Sequence, residues 1–187
     1  MTSRVTDVGG GRVRGGTVSI RRATARDAKR LTRLVQRSGA YEGPYAPMIA
    51  GYRVGPDYIE THRVFVAVEG DAGAGAGASA AEAGGSADVH ASARLLGFYS
   101  LVLAPPELDL MFVADDAQGR GIGRRLVEHM MGQARDAGLD GVRVVSHPPA
   151  EGFYLSVGGR RTGTEAANPP AVMWDRPELI IPVTPVA

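Results

Sequence analysis

Residues 107–123 read ELDLMFVADDAQGRGIG, and the rest of the chain is organised around them. Leu108, Leu110 and Phe112 alternate with Glu107, Asp109 and Met111, the period-two pattern of an extended strand with two faces. A short polar turn at residues 115–117 leads to Gln118, Gly119, Arg120, Gly121, Ile122 and Gly123. Beyond them Leu126, Met130 and Ala134 recur at helical spacing. The stretch therefore reads as strand, glycine-rich turn and helix. The first amides of a helix have no intrahelical acceptor and lie at the positive end of its dipole, so such a turn captures anions. Glycine admits a ligand close to that backbone. Arg120, Arg124 and Arg125 add full positive charge, and a diphosphate is the natural guest.

Two common diphosphate motifs do not fit. Gly123 is followed by Arg124 and Arg125 rather than by the Lys and hydroxyl of a P-loop, and Leu126 stands where a dinucleotide fingerprint needs its third glycine.

The chain has 187 residues, enough for one domain with a proper core. Its formal net charge of +1 argues for neither a nucleic-acid groove nor an acidic-tail partner. The absence of cysteine removes disulfides, thiolate metal sites and cysteine nucleophiles. The four histidines show no metal spacing, so no metal is expected. No apolar run approaches spanning length and the N-terminus lacks the apolar core of a signal peptide. A soluble, cytoplasmic protein with no membrane association is expected.

Residues 1–16 are glycine-rich and polar, a flexible tail; residues 17–187 are read as a single domain. A short strand at 17–22 precedes a helix capped by Thr24 and Asp27, with a stripe of Ala28, Leu31, Leu34 and Val35 that stops at Gly39. Residues 41–58 hold four of the six tyrosines among prolines and glycines. Tyr41, Tyr45 and Tyr52 are candidates for a wall that recognises a small molecule, although such rings also serve to pack a connection onto the core. A brief helix is expected from Pro56. Strands at 64–68 and 95–103 flank a Gly/Ala/Ser-rich insertion at about 71–93, which includes His90 and is expected to be disordered. The central helix runs over about 120–137 to Gly138. A strand at 142–145, a short helix at 150–157 and two strands at 160–164 and 179–183 complete the chain. Antiparallel strands with one βαβ crossover predict an α+β domain with a mixed, mostly antiparallel central sheet flanked by helices.

Gln118, Gly121 and Gly123, at the opening of a helix that follows a strand, resemble the acetyl-CoA-binding motif of the GNAT superfamily of N-acetyltransferases. That motif is Gln or Arg, two residues, Gly, one residue, then Gly or Ala. A second segment agrees: Ala150, Phe153, Tyr154 and Gly158 fall where the family carries its Ala, Phe-Tyr and Gly. His147 stands in place of a frequent Asn, and Gly159 in place of a common aromatic. The resemblance covers about residues 17–183 and implies the GNAT-type fold.

The resemblance also implies a chemistry. Acetyl-CoA would be the cosubstrate, its diphosphate held by Gln118, Gly119, Arg120, Gly121, Ile122, Gly123 and Arg124. Its pantetheine arm would lie against the backbone of Phe112 and Val113, near His147. Glu107 is the first candidate for the base that takes a proton from the acceptor amine, Asp109 the second, and Tyr154 the acid toward the coenzyme thiolate. A primary amine of a small molecule is the expected acceptor. A protein N-terminus or lysine, or a non-catalytic acyl-CoA sensor, are the alternatives. Paired subunits are frequent in the family, so a homodimer is an open expectation.

Overall fold

A computed structural model describes residues 16–70 and 93–183. The tail at 1–15 and the insertion at 71–92, with His90, lie outside the described residues, as does 184–187.

Seven strands form one sheet: β1 (Thr17–Arg22), β2 (Arg63–Gly70), β3 (Arg94–Leu103), β4 (Pro106–Val113), β5 (Gly141–Val145), β6 (Arg160–Glu165) and β7 (Arg176–Pro182). Their order is β1-β2-β3-β4-β5-β7-β6, antiparallel everywhere except between β4 and β5. The α+β expectation of a mixed, mostly antiparallel sheet holds. The helices are α1 (Ala28–Gln36), α2 (Ala46–Ile49), α3 (Pro56–Thr61), α4 (Ile122–Asp136) and α5 (Glu151–Ser156).

Each face of the sheet carries its own core. On one, α4 buries Ile122, Leu126, Val127, Met130 and Ala134 against strand residues that include Leu96, Leu101 and Val144. On the other, α1 lays Leu31 and Val35 over Val64, Val66, Phe98 and Phe112. Each fully buried Leu or Val contributes about 1.5–3 kcal/mol relative to exposure. The entry to α1 is fixed by Asp27, which accepts from Thr24 N–H at 2.9 Å and from both terminal nitrogens of Arg21 at 2.9 Å. These bonds hold the buried carboxyl below its ordinary range against the opposing effect of burial.

Two irregularities position the site. Ser100 pairs with Leu110 and Leu101 with Leu108, so Asp109 is an extra residue in β4. This bulge corrects the single alternation read from the sequence: Leu108 joins the core under α4, whereas Leu110 and Phe112 face α1. An unpaired residue re-aims the side chains on either side of it. Then β4 and β5 share a single register pair, Glu107 with Arg143. Beyond that pair the strands separate, and the β5-facing backbone of β4 has no ladder partner. A wedge opens between them.

Candidate active site

The wedge is a cleft of about 270 Å³, lined by β4 from Glu107 to Val113, by Val144, Val145 and His147 at the end of β5, and by Tyr154 of α5. Tyr41, Met48, Ile49 and Tyr52 cover it from the α1 side, and Gln118 and Arg176 complete its wall.

At the mouth the chain turns into α4. Gly119 and Gly121 adopt φ of +73° and +76°, the left-handed conformation that favours glycine, with no atom within 4 Å of where a Cβ would stand. Among the described residues the amides of 119–124 donate to no protein acceptor. The ladder begins with Arg125 N–H to Gly121 C=O at 3.1 Å. A row of bare amides at the N-terminus of a 15-residue helix fits a diphosphate. The flanking groups are less uniform than the sequence suggests. Arg120 is paired with Glu69, and Arg125 donates to Val18 C=O at 2.9 Å, tying the turn to β2 and β1. Arg124 has no ion-pair partner among the described residues. Gln118 Nε2 donates back to Asp115 at 3.1 Å. The Ile122 side chain is core, 2% exposed, which leaves only its amide for a ligand. Gly123 is small for a different reason: a Cβ there would stand 3.2 Å from the Phe153 ring. Gly159 is similarly constrained, because a Cβ would meet Tyr154 C=O at 2.7 Å.

Deeper in the cleft, Phe112 is buried and Val113 partly so, both on the wall. His147 is buried, stacked on Tyr41 with centroids 4.3 Å apart and met edge-on by Tyr45 at 4.3 Å. Its Nε2 lies 2.7 Å from Ala40 C=O, which can only accept, so Nε2 carries the proton. Nδ1 is then an acceptor, buried and without a partner among the described residues. Burial lowers the His147 pKa and keeps the ring neutral. Tyr154 is 8% exposed and its hydroxyl makes no hydrogen bond among the described residues. Burial pushes its pKa up, so it is a protonated phenol at neutral pH.

The two candidate carboxylates differ. Glu107 is held at 2.9 Å by Arg143, which also binds Glu165 and Glu178 at 2.9 Å each. Asp109, thrown outward by the bulge, is exposed and accepts from the Tyr58 hydroxyl. Burial and then this bond push the Tyr58 phenol far up. Tyr52, raised to about 12 by burial and the nearby Asp109 charge, borders the same carboxylate. Tyr41 and Tyr52 thus line the cleft, whereas Tyr45 does not. Tyr45 packs edge-on between His147 and Trp174, at 4.6 Å from the latter, and braces the wall. The sequence reading missed Tyr58, Arg143, Trp174 and Arg176. Tyr58 was within reach as one of the clustered tyrosines, but the others carry no local signal.

A seven-stranded mixed sheet, splayed at one parallel pair and followed by a glycine turn into a helix, defines the class of acyl-CoA acyltransferase folds. The family profile described as acetyltransferase (GNAT) domain matches residues 79–168, and solved GNAT N-acetyltransferases share the fold. No curated protein matches the sequence. Similar solved structures include a GCN5-related N-acetyltransferase from Rhodopseudomonas palustris (15% identity, 92% of this chain and 99% of that one, TM-score 0.65). The ribosomal-protein-S18-alanine N-acetyltransferase from Escherichia coli is another (17%, 91% and 97%, TM-score 0.58). A third is N-acetylglutamate synthase from Neisseria gonorrhoeae, solved with coenzyme A and N-acetyl-glutamate (18%, 90% and 35%, TM-score 0.58). At these identities the likeness carries the fold. Among the described residues no helix is long and apolar enough to cross a membrane.

Proposed function

We propose that the protein transfers an acetyl group from acetyl-CoA to the primary amine of a small acceptor. The observation that carries this reading is one cleft that Asp109 borders and whose wall ends at Gln118, where the bare amides of 119–124 begin. Acetyl-CoA, held at its diphosphate by those amides, supplies a thioester carbonyl. The chain's own residues do the rest. An alkylamine has a pKa near 10.4 and arrives protonated, so a carboxylate must take its proton, directly or through water. Asp109 is the better-placed base, because Glu107 is committed to Arg143 while Asp109 meets only a phenol. Tyr58 orients Asp109. Tyr154 keeps a proton on its phenol oxygen at the cleft wall and can release it there. His147 presents an unpaired Nδ1 acceptor at the strand gap, where an amide N–H of the carrier would satisfy it. The modest cleft volume, closed over by Met48 and Ile49, favours a compact acceptor over a folded protein.

The test is thiol release from acetyl-CoA across a panel of amines. Asp109→Asn is expected to lower kcat/KM by roughly 10²–10⁴-fold while acetyl-CoA affinity by calorimetry stays within about twofold. If acetyl-CoA binds and no amine is acetylated, the reading is wrong.

A further inference from the structure

Several arginine side chains of the folded domain are occupied. Arg143 holds three carboxylates, Arg21 holds Asp27, Arg161 holds Glu151 and Arg120 holds Glu69. Arg176, on the cleft wall, is not occupied in this way. It opens β7, where Pro177, Leu179 and Ile181 turn inward, so Arg176 falls on the opposite face with Glu178. There it lines the cleft. Among the described residues it makes neither an ion pair nor a side-chain hydrogen bond, and its Nε is buried without an acceptor. A guanidinium has five donors, and leaving one buried and unpaired is costly. Its charge reaches into the covered part of the cleft, where it partly offsets the rise that burial imposes on the Tyr41 phenol.

The rest of the acceptor wall is acidic. Asp109 and Glu107 line the cleft; Arg143, shared with Glu165 and Glu178, pairs with Glu107, and Asp109 meets only the Tyr58 hydroxyl. The cleft is therefore bipolar: carboxylate at β4, free guanidinium at β7. From this arrangement, and resting on the transferase reading above, we infer that the acceptor is a small amino carboxylate whose amine is drawn to Asp109 and whose carboxylate is held by Arg176. Guanidinium and carboxylate match as a bidentate pair. A polyamine would bring a second cation against Arg176, and a peptide N-terminus would bring a neutral amide; neither would satisfy it.

The experiment compares pools of L-amino acids with the matching L-amino acid amides, which replace the carboxylate by a neutral group of similar shape, at a pH high enough that both amines are largely free. Acceptor binding is measured by calorimetry on the full chain loaded with coenzyme A, and turnover by thiol release from acetyl-CoA. The wild type is expected to favour the acids over the amides by roughly 10- to 100-fold in both readouts. Arg176→Gln should collapse that ratio to near one, chiefly through KM, and Arg176→Lys should retain part of it. Circular dichroism checks that the variants are folded. Equal preference for acids and amides in the wild type would overturn the inference, as would an Arg176→Gln variant that weakens acetyl-CoA rather than acceptor binding. The two readings fail separately. Arg176-dependent binding of acids without turnover would leave this inference and remove the transferase; equal turnover of acids and amides would do the reverse.

Discussion

The two ends of the cleft are built on opposite plans. The mouth is made of consecutive backbone: amides at 119–124, bared because Gly119 and Gly121 turn the chain through the left-handed region just before α4. The inner end is made of side chains from distant elements. Tyr41 and Tyr52 come from the connection after α1, Asp109 from the β4 bulge, His147 from beyond β5 and Arg176 from β7. Backbone amides present the same donors whatever the side chains, whereas the inner end can change its guest by exchanging one residue at a time. On the proposed function, carrier binding rests on backbone and acceptor choice on side chains.

The sharpest way to break this contrast is Gly121→Val. A Cβ in left-handed backbone costs about 1–2 kcal/mol, and a β-branched side chain costs more. Acetyl-CoA affinity should fall at least roughly 10-fold by calorimetry, with stability down by about 1–3 kcal/mol on denaturant titration. Gly123→Ala separates the two uses of glycine. Its Cβ presses on Phe153, so it should cost stability before affinity. Unchanged affinity in Gly121→Val would move the diphosphate elsewhere.

The same contrast explains what could be read from the chain alone. The strand, turn and helix at 107–136 are contiguous, and their periods of two and 3.6 are local properties, so those three elements are legible in the sequence. The bulge is not. Leu108, Leu110 and Phe112 alternate perfectly on paper, and only the partner strand, with Ser100 opposite Leu110 and Leu101 opposite Leu108, reveals that Asp109 is extra. The resemblance puts Glu107 ahead of Asp109, although its carboxylate accepts from an arginine 36 residues away. Arg176 was invisible for a related reason. The apolar run that marks β7 begins at Leu179, and nothing in residue order says that its first residue faces a cleft.

Glu107→Gln sharpens the inner end. As one of three carboxylates on a half-buried Arg143, Glu107 serves the junction of β4, β5 and β7, and its loss should reduce stability by about 0.5–1 kcal/mol, a melting-temperature drop of roughly 1–4 °C. The rate of acetyl transfer should fall less than about 10-fold, far short of the Asp109→Asn loss. A kinetic collapse in Glu107→Gln with an unchanged melting temperature would restore it as the base.

The smallest effect lies where the two plans meet, at His147. Burial lowers its pKa, and lowers that of His129 on α4 as well, so the folded protein prefers both rings neutral. As pH falls through the histidine range below about 6.5, the unfolded chain takes up protons that the folded chain refuses, and stability declines. The contribution is complete above the unfolded value and shrinks toward the folded one. Melting temperature should therefore drop between about pH 7.5 and pH 5.5. His147→Gln should lower it at every pH, because the stack on Tyr41 and Tyr45 is lost, but should flatten its slope. His129→Gln, which also removes a ring hydrogen-bonded to Tyr99 at 2.8 Å, should flatten the remainder. If acetyl-CoA affinity in the wild type weakens over the same window and does so less in His147→Gln, then the unpaired Nδ1 is the point at which a side chain joins the backbone in holding the carrier. An affinity that ignores pH in both proteins would assign His147 to the wall alone.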